Sequence, residues 1–343
     1  MPATMVRALT MAAAVLAGGA ELAAQSSQAR ATLSPLDIDI TAATRLLVIA
    51  PHPDDETLAT SGLMQRVIAR GGAVHVVWMT SGDGFPEGVE TADGISHPRA
   101  RDYRIYGTLR EQEARTASRA VGLRNRSLSF LGFPDGGLCE LASTYLSAKG
   151  RAFESPFTAR FSPPLAEQVI RGVRYRGTDV RRELERLLVE FAPTVVASVH
   201  PEDEHPDHCS THIFVHDALD ALAAQGRARP RLLHYLVHYG DWPLAPWDGS
   251  DRELYPPDGF PPAEGRWVSL ALTPDEAAAK KQAVLLYRSQ MAVIGRFLRA
   301  FARDNELYLE GEPGSLPECW CQNGVNVATE LPPAQYRRRP RGR

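Results

Sequence analysis

The apolar positions of this 343-residue chain switch repeatedly between a continuous or two-residue pattern and a helical one. Residues 45–50 (RLLVIA) form a short apolar run of the kind that makes a strand buried on both faces. Residues 57–70 carry helical spacing and stop at Gly71-Gly72, and residues 73–80 read as a second strand. A long segment bearing Gly and Pro, residues 82–107, is expected to be a loop. Helix then strand recurs at 109–121 with 127–131, and at 179–191 with 194–199, before a helix that His208 is expected to open and that runs to about Gln225. Thr273, Pro274 and Glu276 form a capping box with proline at the first helical position, predicting a helix through Lys280 to about Gln290. No internal repeat is evident. Strands alternating with helices predict an α/β fold with a mostly parallel sheet and helices on both faces. Ligands in such sheets bind beyond the carboxyl ends of the strands.

Two clusters of chemistry fall at such ends. PHPDDE, residues 51–56, follows the first apolar run, and HPDH, residues 205–208, follows the strand at 194–199. Histidine nitrogen and carboxylate oxygen suit a catalytic zinc, which takes three protein ligands and leaves one position for water. Pro53 helps to fix the turn between His52 and Asp55, because proline holds its φ near about −65°. Asp54 and Asp55 are adjacent and point in different directions, so one can bind metal while the other faces substrate. An aspartate before a helix can also serve only as a cap. Five of the ten histidines lie between His200 and His216, and the four-residue spacing of His208, His212 and His216 offers a rival metal stripe along one helical face. That rival leaves PHPDDE without a role. A phosphate-binding reading is disfavoured, since the first strand leads into PHPDDE and not GxGxxG.

These motifs, with GDGF at 82–85, LREQEA at 109–114, FLGFPDGG at 130–137 and YRSQ at 287–290, resemble the LmbE/PIG-L family of zinc-dependent N-deacetylases from about Arg45 to about Arg303. The resemblance implies a Rossmann-like three-layer fold and hydrolysis of an N-acetyl group, usually on a glucosamine-containing molecule. Carried over by position, it implies Zn2+ held by His52, Asp55 and His208, with Asp54 as general base. It further implies His205 as acid or oxyanion stabiliser, Asp207 as its orienting partner, and Arg110 and Asp135 as substrate contacts. An amidase on another amide and a non-catalytic carbohydrate-binding protein on the same fold are the alternatives. The second could dispense with Asp54 or the ligands, all of which are present.

Composition narrows the class. With 44% apolar residues there is ample core, and a net charge of −3 argues against a general nucleic-acid binder. A small-molecule or glycan substrate is the expected partner, and oligomeric state is not legible. Residues 1–29, with Arg7 before an uncharged stretch too short to span a bilayer, read as a signal peptide cleaved near Ala20, Ala24 or Ala29. Residues 30–330 then form one deacetylase domain, and 331–343 a basic disordered tail, RRRPRGR at its end. Secretion or periplasmic export would let the four cysteines pair, Cys139 with Cys319 or Cys321, while Cys209 reads as a small packed residue. Trp242 and Trp247 could stack on a sugar or simply pack their loop down.

Overall fold

The structure is a computed structural model and describes residues 33–244, 252–261 and 265–311. The expected signal peptide, basic tail, Cys319, Cys321 and Trp247 lie outside the described residues.

One eight-stranded sheet organises the chain. Its strands are β1 (Ser34–Pro35), β2 (Arg45–Ala50), β3 (Ala73–Thr80), β4 (Leu128–Phe133), β5 (Val195–Val199), β6 (Arg231–Tyr235), β7 (Arg266–Ala271) and β8 (Asn305–Glu310). The spatial order is β1-β7-β8-β6-β5-β2-β3-β4. The run from β6 through β4 is parallel throughout, and β8 is antiparallel to both its neighbours. The helices are α1 (Asp55–Ala69), α2 (Pro86–Asp93), α3 (Ala100–Ala120), α4 (Leu138–Ala142), α5 (Gly177–Phe191), α6 (Pro206–Ala224), α7 (Pro274–Val284) and α8 (Arg288–Ala300).

The apolar run of β2 is buried along its length because helices cover both faces. Leu46, Val48 and Ala50 pack with Leu58, Leu63, Ala114 and Ala117 from α1 and α3. Leu47 and Ile49 point the other way, into a second core with Leu184 and Leu188 of α5 and Phe214 and Val215 of α6. That alternation is the period of two expected of a strand.

Chain order reverses at the β2/β5 border: β2, β3 and β4 run to one side, β5 and β6 to the other. Neither crossover covers the crevice between the carboxyl ends of β2 and β5, which is where open α/β sheets bind ligands. PHPDDE leaves β2 there and HPDH follows β5.

Three element expectations need correction. Residues 82–107 are not a loop throughout: α2 lies within them, and α3 begins at Ala100, carrying LREQEA on its later turns. The helix launched by the Thr273 capping box ends at Val284, and a break at residues 285–287 separates it from α8. His208 does not open its helix: α6 starts at Pro206, with His205 as its cap. Trp242 is used in packing, its Nε1 donating to the Tyr255 carbonyl at 2.8 Å and its ring set edge-on to Phe301. Cys139 and Cys209 are both disulfide-bonded, so Cys209 is more than a packed small residue.

Candidate active site

The turn after β2 is built by its own side chains. The Asp55 carboxylate accepts the His52 backbone N–H at 3.0 Å, closing the loop through Pro53 and Asp54. Asp54 adopts φ 129°, a left-handed conformation that costs a non-glycine residue of order 1–3 kcal/mol. It is the cap residue of α1, yet its side chain makes no capping hydrogen bond. The carboxylate instead meets the Arg110 Nη2 at 3.1 Å. Arg110, buried on α3, also donates to the carbonyls of Pro53 (2.6 Å) and Gly82 (2.9 Å), so one guanidinium ties the β2 and β3 loops to the Asp54 carboxylate.

The second cluster is delivered by α6. His208 is fully buried on its first turn, and its Nε2 lies 3.2 Å from His52 Nδ1 and 3.2 Å from Asp55 Oδ2. His52 Nδ1 lies 3.4 Å from the same Asp55 oxygen. Donors around a tetrahedral zinc with bonds of about 2.0–2.1 Å stand about 3.3 Å apart. The side chains therefore fit such an ion without rearrangement. His208, His212 and His216 do not converge on a common point; the rival stripe is split, with His212 and His216 grouping with His234 instead.

The far nitrogens of both imidazoles face carboxylates, the arrangement that fixes the tautomer and raises the basicity of a metal-binding histidine. His52 Nε2 lies 3.1 Å from Asp135 Oδ1 and 3.3 Å from Asp207 Oδ2. Asp135 is anchored by the Gly84 amide at 2.6 Å, and Asp207 by the amides of Gly136 (2.7 Å) and Leu138 (3.0 Å). His208 Nδ1 lies 3.1 Å from Asp203 Oδ1. The other Asp203 oxygen accepts the amides of Val237 and His238.

Two readings change here. The Asp207 carboxylate turns to His52 and to the Gly136 and Leu138 amides, away from the His205 it was expected to orient, because the end of the FLGFPDGG loop and the start of α4 present those amides to it. His205 is also not held as a cation: burial, followed by the nearby imidazoles of His52, His208 and His238, pushes it well below the usual histidine range. Its Nδ1 accepts the Asp207 backbone N–H at 3.2 Å, so the neutral ring carries its proton on Nε2. His205 does stand beside the cluster, its ring 4.7 Å from that of His52.

The charges are strongly displaced. Burial would lower His208, but Asp203 and Asp55 outweigh it and raise it to about 9. Burial would raise Asp135, but the adjoining His52 pulls it down to about 2. Asp54 is pushed up to about 8, with burial prevailing over the opposing Arg110 charge.

Asp203 and His238 were missed at the sequence level. Asp203 stands two residues before His205 in an acidic run that was visible but carried no spacing signal. His238 comes from beyond β6, its ring 4.9 Å from His208 and stacked on Phe297. The remaining motifs brace the site. Glu56, last residue of PHPDDE, accepts from Trp78 Nε1 (2.8 Å) and from the Tyr287 hydroxyl of YRSQ. Glu113 of LREQEA accepts the Ser289 amide at 2.9 Å and its hydroxyl at 2.6 Å, joining α3 to the start of α8.

This geometry agrees with what the chain is similar to. The profile of the PIG-L family, described as GlcNAc-PI de-N-acetylase, matches residues 47–219. The 1D-myo-inositol 2-acetamido-2-deoxy-alpha-D-glucopyranoside deacetylase of Rhodococcus opacus is 32% identical over 185 residues, which cover 53% of this chain and 55% of that protein. Deacetylase 1 of the same description from Saccharopolyspora erythraea is 32% identical over 233 residues, covering 65% of this chain and 69% of that protein. The chain thus spans little more than half of the first of these relatives. Among solved structures, a deacetylase in complex with teicoplanin shares the fold, with TM-score 0.50, 19% identity, and coverage of 79% of this chain and 100% of that one. With more than half its length inside the family profile and both motif clusters at the crevice, the chain belongs to the PIG-L family of GlcNAc-PI de-N-acetylases.

Proposed function

We propose that the protein is a zinc-dependent N-deacetylase that hydrolyses the acetamide of an N-acetylglucosamine-type sugar or glycoconjugate. The observation that carries this reading is the triangle of His52 Nδ1, Asp55 Oδ2 and His208 Nε2, with sides of 3.2–3.4 Å, beside the strained and buried Asp54. Two nitrogens and one carboxylate oxygen suit zinc, with a fourth position left for water. Bound there, zinc supplies a Lewis acid that brings the acidity of water towards a pKa of about 7.

The side chains supply the rest. Asp54, aimed by Arg110, takes the proton of the attacking water, and the oxygen adds to the acetyl carbonyl carbon. His205 donates its Nε2–H to the developing oxyanion; its tautomer is fixed by the Asp207 amide on Nδ1. As the C–N bond breaks, Asp54 returns the proton to the amine nitrogen, releasing acetate and a free amino sugar. The relatives named as deacetylases of an acetamido-glucopyranosyl inositol support a substrate of that class. Acetate release should be seen with an N-acetylglucosaminyl inositol or an N-acetylglucosamine conjugate and vanish in Asp55→Ala. Zinc-loaded protein that releases acetate from none of a panel of such conjugates would overturn the assignment.

We also propose that residues 1–29 are a cleaved export signal and that the mature chain works in a secreted or periplasmic setting. The disulfide-bonded Cys139 and Cys209 support this, since such bonds persist in oxidising compartments. Among the described residues no helix is long and apolar enough to cross a membrane. Sequencing the exported protein should find its amino terminus near residues 21–30; recovery of Met1 or Pro2 would contradict the proposal.

A further inference from the structure

Three histidines outside the site described above meet further along α6, one and two turns past His208. His212 and His216 lie one turn apart on that helix, their rings stacked at 4.1 Å. His234 comes from β6, on the face opposite Leu233 and Tyr235, with its ring 5.3 Å from His212 and 5.6 Å from His216. One ring nitrogen from each of the three lies within 4.8 Å of the others.

The hydrogen bonding of these rings points to a ligand. His212 is fully buried, and its Nδ1 lies 3.4 Å from the Val199 carbonyl. That contact puts the proton on Nδ1 and leaves a lone pair on Nε2, which has no partner. His234 is 1% exposed; its ring lies near the Val199 carbonyl, and neither ring nitrogen makes a well-formed hydrogen bond. Buried nitrogens left in this state carry a desolvation penalty that a shared cation would remove. Burial and the neighbouring imidazoles push His212 well below the usual histidine range and His234 to about 3. The His212 and His234 rings are thus already neutral, the form that binds metal. His216 is only partly buried and gives the cluster a side towards solvent.

We infer that His212, His216 and His234 form a second metal site, taking zinc through three imidazole nitrogens with water in the fourth position. Three neutral histidines and one water is a donor set that zinc accepts. The site is separate from the His52, Asp55 and His208 cluster: it shares the helix α6 with that cluster but none of its ligands.

The test is metal stoichiometry on the full chain, stripped by chelation and titrated with zinc against a chromophoric competitor. The parent should bind two equivalents, His216→Gln and His234→Phe one, Asp55→Ala/His208→Ala one, and the triple variant with His216→Gln none. His216→Gln alters a partly exposed position and keeps the experiment interpretable should His234→Phe fail to fold. A parent that binds one equivalent, unaffected by His216→Gln, overturns the proposal, as does a His216→Gln protein that still binds two. One equivalent that survives Asp55→Ala/His208→Ala but is lost in His216→Gln supports this site and overturns the catalytic assignment instead. Anomalous scattering at the zinc edge from crystals soaked in zinc should place an ion between these three rings; density there that behaves as water overturns it.

Discussion

Asp135 Oδ1 stands 3.1 Å from Nε2 of His52, on the edge of the ring opposite the Nδ1 that faces His208 at 3.2 Å. The carboxylate is buried and held by the Gly84 amide, so it presents a fixed charge to a fixed ring edge. On the proposed zinc reading, Asp135 behind His52 and Asp203 behind His208 act on metal affinity, whereas the resemblance implied a substrate contact for Asp135 and nothing for Asp203.

Replacing either carboxylate should therefore weaken zinc binding without abolishing it. Asp135→Asn and Asp203→Asn should each lower zinc affinity by about 10- to 100-fold, the usual effect of removing such an outer partner. Competition with a chelator of known affinity measures this; an Asp203→Asn protein with parental affinity would remove Asp203 from the site.

Asp54 and Asp55 should separate chemistry from metal binding. Asp55→Ala should lose zinc at the catalytic cluster, whereas Asp54→Asn should keep it and lose about 10²- to 10⁴-fold in kcat, the worth of a general acid–base. Zinc content and kcat determined on the same preparations check this. Asp54→Asn turning over at the parental rate would take Asp54 out of the mechanism.

Lys280 and Glu306 form a fully buried ion pair at 3.0 Å beneath α1. Glu306 also accepts the amides of Gly62 (2.7 Å) and Leu63 (3.0 Å), so its charge serves backbone groups besides the lysine. Lys280→Met leaves that carboxylate buried without its counter-ion and should cost about 3–5 kcal/mol. Urea unfolding of parent and variant measures it; a change under 1 kcal/mol, a bound taken well below that range, would show that the backbone amides and the Tyr308 hydroxyl, which donates at 3.0 Å, sustain the charge.

Glu183 should make stability depend on pH. Burial lifts its carboxyl from 4.5 to about 7, ahead of the opposing Ile170 amide, which donates to it at 2.9 Å. The folded state thus holds this proton more tightly than the unfolded one. Its contribution is full below about pH 4.5 and is lost as pH rises through about 7. Glu183→Gln should flatten the fall in Tm over that window and raise Tm above pH 7 relative to the parent. Parallel Tm profiles for the two proteins would rule out Glu183 as the cause.

The strands at the centre of the sheet and the clusters that follow them were legible in the amino-acid order alone. Residues 45–50 and 73–80 are mainly apolar over just the lengths at which β2 and β3 form, Arg45, His75 and Thr80 apart, because a parallel strand covered on both faces needs no polar alternation. PHPDDE and HPDH could be assigned to one site because both follow such strands and their donor types suit a single ion. Which groups stand behind the candidate ligands follows from the packing of distant loops. Asp207 lies beside His205 in the chain, but its carboxylate is drawn to His52 by two amides from the loop after β4. Asp203 reaches His208 only because Val237 and His238, beyond β6, fix its other oxygen. The histidine stripe on α6 divides for the same reason: a helix sets the spacing of His208, His212 and His216, but whether each faces the crevice or His234 depends on the sheet against which the helix packs.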